Sequence, residues 1–223
     1  MGTSDDGLSQ KISNAAKAKV GSKAVDGGKE KGGIDCFALV DEVLKSHGAK
    51  SAADFGTVTP TADYVWGVEV KLKDIQPGDI LQFRDHSVTV RTQTLGEFKW
   101  ETTSEQGPSK RPHHTAIVVE VRNDGSVVVV EQNVKPKPDR VTQNVIPWLE
   151  EGEETKRDSI KERRIITVKG TAKAYRPVPK TKSGSLFRPA EKPATSGRRV
   201  LANFIPADGG PKRQPGPIGM GSV

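Results

Sequence analysis

The sequence predicts an α+β domain, with helices first, then an antiparallel sheet, and a disordered C-terminal tail. Three observations predict it. Apolar residues recur at helical spacing between Asp35 and His47, with Cys36, Val40, Val43 and His47 on one stripe and Phe37 and Leu44 widening it. Later the pattern changes to short Val- and Ile-rich runs, the clearest being Thr115–Val121 and Val127–Val130, joined by Arg122-Asn123-Asp124-Gly125. Finally, the last 47 residues, from Pro177 on, hold eight of the 15 prolines and seven of the 23 glycines, a composition that buries too little to fold.

The elements follow in chain order. Leu8 to Val20 reads as a short helix, favoured by Ala15, Ala16 and Ala18 and stopped by Gly21 and the Gly27–Gly33 stretch. The second helix has Asp35 as N-cap and Gly48 as its stop. Residues 51–67 are irregular, with a short helix expected near Ala62–Trp66. Val68–Leu72 alternates weakly as a strand, and Gln76-Pro77-Gly78-Asp79 is a turn leading into the apolar run Ile80–Phe83. Ser87–Arg91 and Gly96–Trp100 read as a hairpin, Ser104–Pro112 as a polar loop, and Ile165–Tyr175 as a last strand after a charged segment. The expected organisation is an N-terminal helix and Gly-rich linker over 1–30, a domain over 31–178, and a basic tail over 179–223.

Composition excludes several classes. Hydrophobic residues make up 33% and charged residues 28% of the 223 residues. No apolar run approaches the roughly 18 residues of a membrane span. The first 20 residues lack a basic-then-apolar secretory pattern, and Asp6 stands where a myristoylation signal needs Ser or Thr. A soluble protein is expected, synthesised in the cytoplasm, with export or release to a cell wall left open. The single cysteine rules out an intramolecular disulfide and any multi-cysteine zinc site, and no cofactor is expected.

Of the net charge of +7, six units come from the tail, which holds eight Lys/Arg against Glu191 and Asp208. Such a tail either docks on an anionic surface or is a solvated linker. Only Phe187 and Phe204 interleave its charges, so nucleic-acid stacking is not expected.

A lone cysteine is buried filler, a reactive thiol, or half of an intermolecular bridge. Cys36 falls in the first turn of its helix, where the positive helix end favours a thiolate, and Gly32 and Gly33 just upstream permit close backbone approach. Filling the helix's buried stripe is compatible with that reactivity. A base must then come from four histidines. His47 is three turns along the same helix, roughly 16 Å from Cys36 at 1.5 Å per residue, too far to act. His86, in the polar turn Arg84-Asp85-His86, reads as a surface residue. His113 and His114 lead into a strong strand, so at most one faces the helix.

The hairpin that follows discriminates between them. With Asn123-Asp124 or Asp124-Gly125 as a two-residue turn, His114 shares a face with Val127, Val129, Glu131 and Asn133 of the next strand. A loop of three or five residues breaks this parity. Either Glu131-Gln132-Asn133 ends a strand in polar residues, or Glu131 and Asn133 orient the His114 ring, the logic of a catalytic triad.

At these residues the chain resembles the CHAP and NlpC/P60 superfamily of papain-like cysteine peptidases and amidases. The similarity runs through Gly33-Ile34-Asp35-Cys36-Phe37-Ala38-Leu39-Val40, Ile75–Phe83, His114-Thr115-Ala116-Ile117-Val118, Glu131-Gln132-Asn133 and Ala174–Pro177, in chain order over about residues 31–178. The resemblance implies a papain-like fold and hydrolysis of amide bonds, typically in peptidoglycan peptides. It further implies Cys36 as nucleophile, His114 as general base and acid, Glu131 as orienting group, Asn133 in support, and the Cys36 N–H as an oxyanion donor. The stretch between Phe83 and His113 exceeds what a minimal domain of this kind needs and reads as a specificity insertion. Two other functions compete: a papain-fold protease, deamidase or acyltransferase acting on an intracellular protein, and a non-catalytic binding or structural module with a basic tail.

Overall fold

Helix α1, Ser4–Ala18, starts four residues earlier than the sequence pattern predicts and buries Ser9, Ile12, Ser13 and Ala16 along one stripe. The computed structural model describes residues 4–27, 35–60 and 62–181. Residues 1–182 form one compact unit; the second, 183–223, and with it nearly all of the predicted basic tail, lies outside the described residues, as does Gly32-Gly33.

Helix α2, Cys36–Ser46, has the predicted cap: Asp35 Oδ1 accepts the Ala38 N–H at 2.9 Å. His47 closes the helix, with Nδ1 against the Val43 carbonyl at 2.9 Å, and Gly48 follows at φ 70°, the left-handed stop. Phe37, Leu39, Val40, Val43 and Leu44 are buried against α1 and the sheet. Residues 62–66 form no helix. Tyr64 and Trp66 both pack on Phe37, with ring centroids 4.9 and 5.0 Å away, and an extended chain puts residues two apart on one side. Trp66 is fully buried and donates its indole N–H to Gln82 Oε1 at 3.3 Å, so it is core.

The sheet contains β1 (Val68–Val70), β2 (Ile80–Leu95), β3 (Trp100–Val121), β4 (Val127–Glu131), β5 (Thr142–Ile146), β6 (Gly152–Arg157) and β7 (Glu162–Arg176). Its antiparallel order is β1-β7-β2-β3-β4-β5, with β6 adding to β7. The expected hairpin and polar loop between 87 and 112 are instead the two halves of one long ribbon, β2 paired with β3 from Ile80–Ile117 to Leu95–Trp100. The outer half of that ribbon, backed by β7 and β6, is largely solvated, and Phe98 at its tip is 90% exposed. The predicted insertion is thus a sheet extension.

Both faces of the inner sheet bury apolar side chains. Ile80, Ile117, Val119, Val128, Val130 and Tyr175 meet the two helices, while Leu81, Phe83, Ala116, Val118, Val127, Val129 and Ala174 form a second core on the other face. No helix among the described residues is long and apolar enough to cross a membrane. The structure is therefore α+β, dominated by antiparallel sheet.

The β3–β4 connection differs from either expected turn. Gly125 N–H bonds the Arg122 carbonyl and Arg122 N–H the Ser126 carbonyl, which leaves a three-residue loop, Asn123-Asp124-Gly125. By itself that would reverse the predicted parity. A bulge between Val118 and Glu120 restores it: Val121 pairs with Val127 and Glu120 with Val128, but Val118 pairs with Val129 and Ile117 with Val130. His114 and Glu131 end on the same face, with the second core.

Candidate active site

Strand β4 pairs with β3 only from Ile117 to Val121, so residues 111–116 have no strand neighbour on that edge. The start of α2 comes to this open edge. Cys36 Sγ lies 4.0 Å from the His113 carbonyl oxygen, which puts the thiol beside His114, close enough to raise the pKa of its ring. Cys36 and His114 are 8% and 6% exposed. His114 Nε2–H donates to Glu131 Oε2 at 2.8 Å, so Nδ1 is the nitrogen left for the thiol. Three of the predicted site residues, Cys36, His114 and Glu131, thus meet, 78 and 17 positions apart along the chain.

Glu131 is fully buried and accepts four hydrogen bonds. Arg111 grips it with both arms of its guanidinium, Nε to Oε2 at 2.9 Å and Nη2 to Oε1 at 2.5 Å, and Asn144 Nδ2 donates to Oε1 at 2.8 Å. With His114 these fill the lone-pair sites of both oxygens. Burial alone pushes the Glu131 carboxyl up, but the hydrogen bonds and positive charges of His114 and Arg111 outweigh it and bring the pKa down to about 2. For His114, burial pulls the pKa down, while hydrogen bonds and charge from Cys36 and Glu131 prevail and raise it to about 9. The ring therefore favours the protonated form.

Asn133 does not join this group. The chain leaves β4 at Glu131 and turns at Asn133 in the left-handed region, φ 62°, leaving its side chain exposed. Asn144 of β5, opposite Val129 in the ladder, supplies the amide instead. Neither Asn144 nor Arg111 was predicted. Arg111 lies in what reads as a polar loop, and nothing in its local sequence marks a buried cation; the acidic end of β4 was the signal that a counter-charge was needed.

The other histidines have structural places. His113 points to the helix-side core, its ring 5.3 Å from Tyr64 and Nε2 2.7 Å from the Ala62 carbonyl. His86, expected at the surface, is fully buried. Asp85 at φ 50° kinks β2, and His86 packs tilted against Phe83, ring centroids 4.9 Å apart, on the same side as Arg111. Burial and the Arg111 charge push its pKa down to about 4, which keeps it neutral beside the cluster. Neither ring nitrogen has a well-formed hydrogen bond, although the backbone of Leu149 and Trp148 lies near and opposes the shift.

The family model of the AIM3/BBC1 cysteine proteinase-fold domain matches residues 3–186. The chain belongs to this family. No curated protein and no solved structure matches the sequence.

The AIM3/BBC1 match carries the cysteine proteinase fold, and not the CHAP and NlpC/P60 family that the motifs resemble. In this AIM3/BBC1 domain α1 belongs with the rest: Ile12 and Ala16 share a core with α2 and Trp66. A cavity of about 820 Å³ opens beside β5, lined by Lys135, Lys137, Arg140 and Asn144 among others. Asn144 and Thr142, both of its lining, bond Glu131 and so link it to the His114 group.

Proposed function

We propose that this domain is a thiol-dependent hydrolase of amide bonds, with Cys36 as nucleophile, His114 as general base and acid, and Glu131 as the group that orients and charges the imidazole. The observation that carries this reading is the burial of the Cys36 thiol against the strand that bears His114, 4.0 Å from the His113 carbonyl, with the His114 ring held by Glu131 at 2.8 Å. Glu131 fixes the Nε2–H tautomer, so Nδ1 accepts the thiol proton. The sulfur then attacks a substrate carbonyl, and negative charge on its oxygen develops near the Cys36 N–H, which as the first helical residue has no partner within α2. His114 returns the proton to the departing amine. Water, losing a proton to the same ring, cleaves the thioester, and the thiol is regenerated.

The CHAP-like motifs favour a peptidoglycan peptide as substrate; the family match supports the fold alone. A thiol-directed acyl probe tests the chemistry, and intact sacculi test the substrate. The probe is expected to label wild-type protein at Cys36, and His114→Ala to lower that labelling at least about a hundredfold, the range of general-base effects. Release of soluble peptide from sacculi, lost in Cys36→Ala, supports the cell-wall substrate. Labelling without release assigns a protein substrate. Folded protein that the probe leaves unlabelled is a non-catalytic module.

A further inference from the structure

Glu131, the last residue of β4, and Gln132, the first beyond it, have their side chains on opposite sides of the chain. Glu131 goes to His114. Gln132 is fully buried on the other side and uses every polar atom of its amide. Its Oε1 accepts the Val25 N–H at 2.8 Å; its Nε2 donates to the Val25 carbonyl at 2.9 Å and to the Asp35 carbonyl at 2.6 Å. Asp35 is the cap of α2 and the residue before the thiol.

We infer that Gln132 is a positioning residue that sets where Cys36 stands against His114. This rests on the hydrolase reading above. Two consecutive side chains at the end of β4 then hold both halves of the pair, the imidazole through Glu131 and the helix start through the Asp35 carbonyl. The geometry also argues against other roles. Both Gln132 N–H groups are committed to backbone carbonyls, so neither is free to meet a substrate oxygen. Nor does the amide merely fill space, since Val25 and Asp35 are ten positions apart and this one side chain bonds them both. Two other ties of the helix start are weaker as locators. Asp35 Oδ1 bonds within its own helix, and the Phe37 contacts with Tyr64 and Trp66 are apolar and tolerate sliding.

The single cysteine makes the test direct. Alkylation by iodoacetamide is followed against pH in wild type, His114→Ala, Gln132→Met and Gln132→Asn, and hydrogen exchange of residues 35–40 is followed in parallel. Wild type is expected to react well below pH 7, and His114→Ala to lose that phase. Gln132→Met keeps the volume and removes the donors. It is expected to slow alkylation near pH 6 by roughly tenfold or more, while leaving the rate at high pH, where the thiol ionises unaided, within about twofold. Exchange should rise in residues 35–40 and stay unchanged in residues 113–117. If wild type lacks the low-pH phase, the hydrolase reading fails, and exchange in residues 35–40 still decides whether Gln132 fixes the helix start. A folded Gln132→Met protein with the wild-type profile and wild-type exchange overturns the inference. If that variant does not fold, Gln132→Asn, which keeps an amide but cannot span the distance, must give the same pattern, and an unchanged profile there overturns it equally.

Discussion

Glu131 carries more hydrogen bonds than any other side chain at the site, and its neighbours set different contributions to stability and chemistry. Arg111 is 4% exposed and bonded bidentately, so removing it leaves a buried carboxylate short of charge. Arg111→Met is expected to lower stability by about 3–5 kcal/mol, measured by denaturant unfolding. The double variant Arg111→Met/Glu131→Leu replaces ions with apolar groups of similar bulk and should recover most of that stability. It should not recover labelling of Cys36, because His114 then has nothing to hold its ring. Recovery of both would remove Glu131 from the proposed mechanism. Asn144→Ala takes one hydrogen bond of four and should cost only about 1–3 kcal/mol.

At the scale of elements, two glycines with positive φ make a comparison. Gly125 (φ 82°), in the β3–β4 loop, has open space where a Cβ would go, with only the end of the Lys156 side chain 3.9 Å away. Gly125→Ala should cost about 1–2 kcal/mol, the price of the left-handed conformation alone. Gly170 (φ 78°), in β7, faces the kink at Asp85, and a Cβ there would come within 2.3 Å of the Asp85 carbonyl oxygen. Gly170→Ala should therefore destabilise distinctly more than Gly125→Ala, and thermal unfolding of the two variants measures the difference. Equal effects would mean that the β2 kink yields easily.

These same elements show what a sequence exposes. Strong one-sided signals were legible: the capped helix at Asp35, the turn at Gln76–Asp79, the apolar strands flanking residue 124. The ribbon between 101 and 107 was not, because both its faces meet solvent and no apolar alternation remains to announce a strand. The shared face of His114 and Glu131 was anticipated from a two-residue turn. It arises from two departures, an odd loop and a bulge at Val119, that cancel. Asn133 was expected to follow Glu131 on that face, and would have, had the strand continued. Arg111 and Asn144 become visible only once β3, β4 and β5 lie side by side.

For the molecule as a whole, three perturbed buried groups, His114, Glu131 and His86, shape the dependence of stability on pH. His114 has a folded pKa raised from 6.5 to about 9, so its contribution is complete below pH 6.5 and is lost as pH climbs through 9. Glu131 has a folded pKa lowered from 4.5 to about 2, so its contribution is complete above pH 4.5 and is lost as pH falls through 2. His86, with a folded pKa lowered from 6.5 to about 4, subtracts stability as pH falls from 6.5 through 4, so unfolding midpoints should peak near about pH 6.5, and His114→Ala should flatten the alkaline side of that curve. An alkaline limb unchanged in that variant would assign it to other groups.

The charge cluster has one more consequence, in its dependence on ionic strength. Arg111 and Glu131 cancel, and a proton passing from Cys36 to His114 creates one positive and one negative group side by side, so the net charge enclosed by the protein is the same before and after. Mobile ions cannot approach such nearly sealed groups, whereas they surround pairs such as Arg91–Glu105 and Arg164–Asp158 on the outer sheet. Added sodium chloride should weaken those outer contacts and leave the reactivity of the thiol nearly untouched.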